Sequence, residues 1–418
     1  MAATKGENRR ATVVGAGIVG VCSALYLQRE GFTVTLIDRR GPGEEASTGN
    51  GGCFGYASCV PLSMPGLALK APLMLLDPDA PFKLRWRDAP RLAPWFLRFL
   101  GHCNKPSVED IADARFALLS RMYDGFDPLL ASAGADDMVI RDGMLYVFET
   151  EKALAQNAYG LDLRRRRGIE MEELSGDEAR EMEPALGPSV RRAFFFPQVG
   201  RTINPLRLTQ VLARHFTDRG GTVLRREVTD FEIGAEGPRR VIAAGGGVDC
   251  DLVVIAAGTW SRPLARKLGS DFPLVAERGY NVMLPDPGVA PGRCVISGER
   301  YVGITPMEHG LRVAGLAEFA AADAPPVYAR AERLLGLLTG LFPGVNTAGF
   351  EPWMGPRPSL PDSTPVIGWA PKHGNVLFAF GHDHIGLSTA GITGKLIGEL
   401  AAGGPPSMDI EAYRPDRF

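Results

Sequence analysis

Residues 12–20 read Thr12-Val-Val-Gly15-Ala-Gly17-Ile18-Val19-Gly20. Residues 11–15 are short, apolar and β-branched, as a buried parallel strand is. Residues 21–30 read as a helix, and residues 33–37 as a second strand ending at Asp38. In this order each glycine has a task. Gly15 makes the tight turn, Gly17 lets backbone approach a pyrophosphate, and Gly20 lets helix and strand pack closely. The helix start, with Ile18 and Val19, offers free N–H groups and the positive end of the dipole to phosphates. Asp38 lies 18 residues past Gly20, where a carboxylate accepts from a ribose diol. Its charge disfavours a phosphorylated ribose. Arg39 and Arg40 form the following turn, either solvated or facing the adenosine.

A second glycine-rich segment lies more than 330 residues later. It runs Gly355-Pro-Arg357-Pro358, then Pro361-Asp362, then Gly381-His382-Asp383-His384-Ile385-Gly386-Leu387-Ser388. A chain that returns to its ligand from both ends suits a flavin dinucleotide better than a nicotinamide one. Between the two segments, Asp251 to Gly258 reads as a buried strand whose small-residue tip meets the cofactor. Ala257, Gly258 and Trp260 are placed at that tip.

The 418 residues suffice for a large core, read as two interwoven domains. Charge is balanced, 46 basic against 48 acidic residues, so nothing points to nucleic acid. The six cysteines form no CxxC pair, which fits a reducing compartment and gives no structural zinc pattern. Arg9-Arg10 and the apolar run after them are explained by the glycine fingerprint rather than by a signal peptide. No stretch reaches the ~18 apolar residues of a membrane span. The expected location is therefore the cytoplasm. Residues 61–100 mix Leu, Met, Trp86 and Trp95 with Lys70, Lys83, Arg85, Arg87, Arg91 and Arg98. They read as amphipathic helices, with membrane-surface contact as the alternative.

Residues 41–60 form a long Gly/Ser/Asn-rich loop, and long ordered loops tend to be functional. Helix is expected over 107–135, 205–219 and 327–342, and near the C-terminus over 391–400. Strands are expected over 144–149, 192–196, 222–224 and 229–233. Residues 273–318 alternate apolar and polar in short runs, which predicts a second, antiparallel sheet. That sheet would cover the cofactor and create an interface pocket.

These residues resemble the FAD-dependent D-amino-acid dehydrogenase group, close to glycine oxidases and D-amino-acid oxidases. The resemblance rests on Val13 to Gly20, Ser47-Thr-Gly-Asn-Gly-Gly52, Glu277-Arg-Gly-Tyr280, Ile304-Thr-Pro-Met307 and Gly310 to Gly315. It rests further on Gly355 to Pro358, Pro365 to Gly368 and Gly381 to Gly391. It implies an α/β (overall α+β) fold: a Rossmann-like FAD-binding domain of the glutathione-reductase type interleaved with an antiparallel-sheet substrate domain. Residues 1–60, 165–272 and 340–418 would form the first, and 61–164 and 273–339 the second. The resemblance implies that Ser47, Thr48, Asn50, Gly51 and Gly52 run beside the flavin. Val228 would meet the adenine, and Gly386, Leu387 and Ser388 would aim N–H groups at the flavin edge that becomes negative on reduction. Gly381, His384 and Ile385 lead into that helix. FAD is expected to be non-covalent, although Cys53 and Cys59 lie in the loop. His382, His384 and Asp383 do not complete a ligand set, so no metal is expected.

The implied reaction is oxidation at an amine carbon. A neutral amine gives up hydride from Cα to flavin N5, and the resulting imine hydrolyses. The cofactor does the difficult step, and the protein aligns the substrate. Arg357 is the expected carboxylate anchor, because a guanidinium fork binds a carboxylate bidentately. Its alternative is a structural arginine packed under the flavin. Tyr280 and Tyr301, on the roofing sheet, are candidate donors to the carboxylate. Arg278 is a second cation, which could instead pair with Glu277 or Glu318. The resemblance favours a D-amino acid, with cyclic ones such as D-proline or cis-4-hydroxy-D-proline among the candidates. It also favours a quinone or electron carrier over O2 as acceptor. Two competing readings are a glycine- or sarcosine-type amine oxidase using O2, and an FAD-carrying subunit with the 61–100 stretch as its interface.

Overall fold

A computed structural model describes residues 9–67, 69 and 82–418. Its first layer is a six-stranded sheet. Strands run in the order Thr222–Arg225, Thr33–Asp38, Arg10–Val14, Leu252–Ile255, Val376–Phe380 and Val366–Trp369. The first five are parallel and the last is antiparallel. Leu252–Ile255 and Val376–Phe380 are buried along their whole length. Continuous apolar strands need cover on both faces. Helices Ile18–Arg29, Pro205–Asp218 and Gly386–Ala401 share one core with Val13, Leu36 and Val254. The opposite face, with Val14, Ile37 and Val253, packs on Phe231 and Val241. Those two belong to the meander Val228–Gly234, Gly237–Ala243 and Gly246–Asp249.

Helix Gly386–Ala401 lies close against its neighbours because glycines face them. A Cβ on Gly394 would come within 2.6 Å of Cys22 backbone, and one on Gly391 within 2.6 Å of Gly125 backbone. This contact sets helices Ile18–Arg29 and Gly386–Ala401 side by side.

The second layer is a nine-stranded sheet. Its path runs Glu351–Ser359, Val275–Leu284, Gly310–Phe319, Val302–Met307, Cys294–Ser297, Met144–Phe148, Arg192–Phe196 and Glu172–Ser175, with Phe82–Leu84 beside Gly310–Phe319. It was expected to be antiparallel throughout. Two pairings, Cys294–Ser297 with Met144–Phe148 and Phe82–Leu84 with Gly310–Phe319, are parallel. Helix Ala329–Leu341 covers one face, packing Leu334 and Leu338 on Tyr280, Val282 and Val313. The other face looks toward the first layer.

Strand membership moves the expected division of the chain. Glu172–Ser175 and Arg192–Phe196 fall inside 165–272 yet belong to the nine-stranded sheet. So does Glu351–Ser359, inside 340–418. Conversely, helix Met122–Ala133, inside 61–164, packs on Gly386–Ala401 through Gly125 and Phe126. Partners across the sheet, not local composition, decide these assignments.

The helix expected over 107–135 is two, Lys105–Leu119 and Met122–Ala133. Helix Glu151–Arg166 was not anticipated, although Thr150 caps it by accepting from the Ala153 N–H. Glu351–Ser359 was not anticipated either, because it carries Pro352, Pro356 and Pro358. It is an edge strand, where prolines are tolerated. Among the described residues no helix is long and apolar enough to cross a membrane. Of the 61–100 stretch, residues 68 and 70–81, including Lys70, lie outside the described residues. Trp95 is buried against Phe319, while Trp86 is exposed.

Candidate active site

A cleft of about 600 Å³ lies between the two layers. The strand-to-helix turn forms one wall. Gly15 has φ 110°, and a Cβ there would meet Ala256 O at 2.3 Å. A Cβ on Gly20 would meet Gly15 O at 1.8 Å, so this glycine serves the close packing of helix on strand. Gly17 differs: a Cβ would meet only Ser47 Oγ, at 3.6 Å. The space over its backbone is open. Helix Ile18–Arg29 starts there without a side-chain cap on Gly17, and Ser47 Oγ accepts from Ile18 N–H at 3.1 Å. Helix Gly386–Ala401 opens on the same cleft, also without a side-chain cap. Two uncapped helix starts and an open glycine make a cradle for an anionic dinucleotide.

Asp38 stands at the end of its strand. Its Oδ2 accepts from Ala16 N–H at 2.7 Å, and its Oδ1 from Arg40 N–H at 2.8 Å. Burial raises its pKa, against the pull of these two bonds. The Arg39 guanidinium stacks 3.8 Å over the Trp260 ring, and Val228, Ala257 and Gly258 continue this end of the cleft.

Of the loop residues expected beside the cofactor, Ser47, Asn50 and Gly51 line the cleft. Ile18, Val19, His384, Ile385, Gly386, Leu387 and Ser388 line it too. Gly20, Arg40, Thr48, Gly52 and Gly381 do not. The Arg40 side chain is half exposed and pairs with Glu45. Thr48 Oγ1 donates to Gly43 O and closes the loop on itself. Gly52 (φ 80°) turns the chain beneath Met307, and Gly381 (φ 82°) turns it against Leu360. Ser388 Oγ donates to Cys53 O at 3.2 Å and ties the helix start to the loop.

The roof is the face of the nine-stranded sheet that carries Glu277, Gly279 and Asn281. Across the register, Glu277 pairs with Arg357, Gly279 with Gly355 and Asn281 with Trp353. Arg357 Nη1 donates to Glu277 Oε1 at 2.7 Å, and its other N–H groups have no partner among the described residues. The guanidinium overlies Gly279, whose Cβ would come within 2.3 Å of Nη2. Arg357 borders the cleft with its side chain about a quarter exposed.

Strand alternation corrects two expected donors, and a turn corrects a third. Arg278 and Tyr280 project to the far face. Tyr280 Oη donates to Glu318 Oε2 at 2.7 Å, and Arg278 is buried between Glu318, Met354 Sδ and Pro325 O. Tyr280 borders the cleft, but its hydroxyl does not serve it. Tyr301 is 61% exposed in the tight turn before Val302, at φ 56°, and does not line the cleft.

A family profile described as FAD dependent oxidoreductase matches residues 10–400. The chain belongs to that family. The oxidoreductase is 34% identical to a D-amino-acid oxidase of Bradyrhizobium diazoefficiens, over 99% of both chains. It is 31% identical to a D-amino acid dehydrogenase of Paramagnetospirillum magneticum, over 98% of this chain and 99% of the relative. Glycine oxidase from Geobacillus kaustophilus shares the fold, with TM-score 0.76 and 21% identity over 98% and 99% of the chains. L-proline dehydrogenase from P. horikoshii does so at TM-score 0.74 and 20% identity, over 99% and 98%. The enzyme is an FAD-dependent flavoprotein with the mixed α/β architecture of these neighbours. The open space over Gly17 and the two uncapped helix starts fit FAD.

Several residues that line the oxidoreductase's cleft or hold its loop were not anticipated. Arg312 Nη1 donates to the carbonyls of Thr48 and Asn50 at 2.9 and 2.7 Å. Burial pushes its pKa down to about 10. Thr305 Oγ1 donates to Gly51 O at 2.7 Å, and Asn281 Nδ2 to Gly49 O at 2.9 Å. All three come from the roofing sheet and hold the 48–52 loop. A charged residue inside the alternating run Leu311 to Ala314 was the available signal. Cys53 lines the cleft, and its Sγ lies 2.8 Å from Cys294 Sγ.

The Asp383-His384 turn is more than a connector. Asp383 is left-handed at φ 51°. His384 Nδ1 lies 3.1 Å from Asp383 Oδ2, and Nε2 lies 2.8 Å from Nη2 of the fully buried Arg115. An arginine only donates, so Nε2 accepts and Nδ1 carries the proton. His382 is buried on Thr393 Oγ1, and burial pushes its pKa down to about 3. Among the described residues no group of three or more His, Cys, Asp or Glu could hold a metal ion.

Proposed function

We propose that this oxidoreductase removes two electrons from a small D-amino acid at the bond between Cα and nitrogen. The product is an imine, and water converts an acyclic one to a 2-oxo acid and ammonia. The observation that carries the reading is Arg357, a guanidinium at the cleft with one N–H used by Glu277 and the rest unpaired. Such a fork suits a substrate carboxylate. FAD, held without a covalent bond, supplies the acceptor of the hydride.

The chain's own residues do the rest by placement. Arg357 fixes the carboxylate end, and Glu277 fixes the angle of the guanidinium. Gly303 and Ala314 keep the roof thin over the cleft, and Gly279 leaves the space that the Arg357 guanidinium fills. The substrate enters with its amine neutral, so no side-chain base is required at Cα. Relatives named D-amino-acid oxidase and D-amino acid dehydrogenase support the substrate class. Cyclic D-amino acids such as D-proline are among the candidates.

The acceptor has two readings. The 31% identical dehydrogenase supports a quinone or electron carrier, and the 34% identical oxidase supports oxygen. Turnover of D- and L-amino acids with an artificial dye tests the substrate reading. A D-amino acid, and not its L form, is expected to reduce the dye. Peroxide formed in air at a rate matching dye reduction would assign oxygen.

A further inference from the structure

Behind Arg357 lies a buried chain of side chains. Ser359 Oγ stands 2.9 Å from Glu277 Oε2 and 3.0 Å from Asp383 Oδ1. Glu277, Ser359 and Asp383 are nearly inaccessible. A hydroxyl has one proton, and two ionised carboxylates are acceptors only. Ser359 can therefore donate to one of them. Two ionised carboxylates around one hydroxyl would leave an unpaired lone pair and a like-charge contact in a dry site, which is costly.

We propose that Glu277 is a carboxylic acid in the resting enzyme, donating from Oε2 to Ser359, which donates in turn to Asp383. Glu277 is then a positioning residue that acts through Arg357.

The surroundings say which carboxyl holds the proton. Asp383 Oδ2 faces Arg115 Nη1 at 3.4 Å and His384 Nδ1 at 3.1 Å. Asp383 keeps its charge, and the nearby His384 and Arg115 hold its pKa far below the usual carboxylate range despite burial. Glu277 has one cation, Arg357, on Oε1. Burial and the charge of Asp383 push its pKa up, against Arg357. Arg278, next in sequence, projects to the opposite face and is spent on Glu318. Across the other neighbouring strand Glu277 meets Phe319, which brings no charge.

The consequence is electrostatic. With Glu277 neutral, the charge of Arg357 is uncompensated and calls for an anion. If Glu277 ionises, it supplies that anion itself and competes with the substrate carboxylate. Carboxylate affinity should fall as pH rises through the Glu277 pKa.

This inference rests on Arg357 as the carboxylate anchor, so the experiment has two arms. The first measures binding of propionate, a carboxylate without an amine, to the holoenzyme by calorimetry between about pH 6 and 9. Wild-type Kd should rise by up to about tenfold per pH unit above the Glu277 pKa. Glu277→Gln, which keeps a donor for Ser359 and an acceptor for Arg357, should flatten that dependence. Ser359→Ala should shift it to lower pH, and serves if the first variant does not fold. The second arm is an infrared difference spectrum of wild type against Glu277→Gln. Loss of a protonated-carboxyl stretch in the variant supports the inference. A wild-type spectrum without such a band overturns it, and so does a wild-type Kd that stays constant while the band disappears as pH rises. A band without any propionate binding keeps the proton on Glu277 and rejects Arg357 as anchor.

Discussion

The Arg357 guanidinium lies over Gly279, and a Cβ on that glycine would sit 2.3 Å from Nη2 and 2.5 Å from Cζ. The strand leaves out a side chain where the arginine passes. Gly279→Ala should therefore push the guanidinium aside while the sheet still forms. We expect KM for the amino acid to rise about tenfold, a loss of ~1.4 kcal/mol, with flavin content unchanged. Steady-state kinetics of the flavinated variant measure this.

Removing the guanidinium should do more. Arg357→Ala should keep the yellow cofactor and raise KM by about 100-fold, roughly 3 kcal/mol for a lost charged hydrogen-bonding partner. Loss of flavin with unchanged kinetics in the remaining holoenzyme would show Arg357 to be structural.

The glycines of the first turn should separate by phenotype. Gly17 faces open space, so Gly17→Val should fold and fail to bind FAD. Gly20 touches Gly15 O, so Gly20→Ala should lower thermal stability, by about 1–3 kcal/mol or more from overpacking. Melting curves with and without added FAD distinguish them: Gly17→Val should lose the cofactor-induced rise, and Gly20→Ala should melt early in both.

That turn was legible in the sequence because its constraint is local. Strand, turn, helix and Asp38 lie within 30 residues, and Gly20 answers to the Gly15 carbonyl in the same unit. The roof was not. Whether Tyr280 or Asn281 faces the cleft depends on which side of a strand meets the cofactor layer, and the alternating pattern alone does not say. Tyr301 was placed in the pocket because its run reads as strand, yet it sits in the turn that precedes that strand. Glu277, Ser359, Asp383 and Arg115 meet across more than 260 residues of chain, beyond the reach of any spacing argument. The C-terminal return was legible because a helix start with three consecutive small or apolar residues, Gly386 to Ser388, has few other uses beside Gly381-His382.

Arg312 holds two carbonyls of the cofactor loop from a partly buried position. Arg312→Met should leave the Thr48 and Asn50 carbonyls without their donor, at ~1–3 kcal/mol. The loop should loosen and FAD should dissociate more readily. Flavin fluorescence on dilution reads the release.

His382 gives a pH prediction with a definite sign. Its folded pKa is about 3, below the unfolded value of about 6.5. Between these values the unfolded chain binds the extra proton. Stability should therefore fall as pH drops from about 6.5 toward 3, by up to ~1.4 kcal/mol per pH unit. His382→Gln should blunt this part of the acid sensitivity, measured by denaturant unfolding across the range.

The most direct test is the visible spectrum of the purified protein under anaerobic conditions, with D- and L-amino acids, the prolines included, added in turn. The account predicts flavin bands that bleach with a D-amino acid and not with its L form, and an Arg357→Ala variant that needs far more substrate to bleach. Flavin bands that no amino acid bleaches would contradict the proposed reaction, and a colourless protein that cannot be reconstituted with FAD would contradict the cofactor site itself.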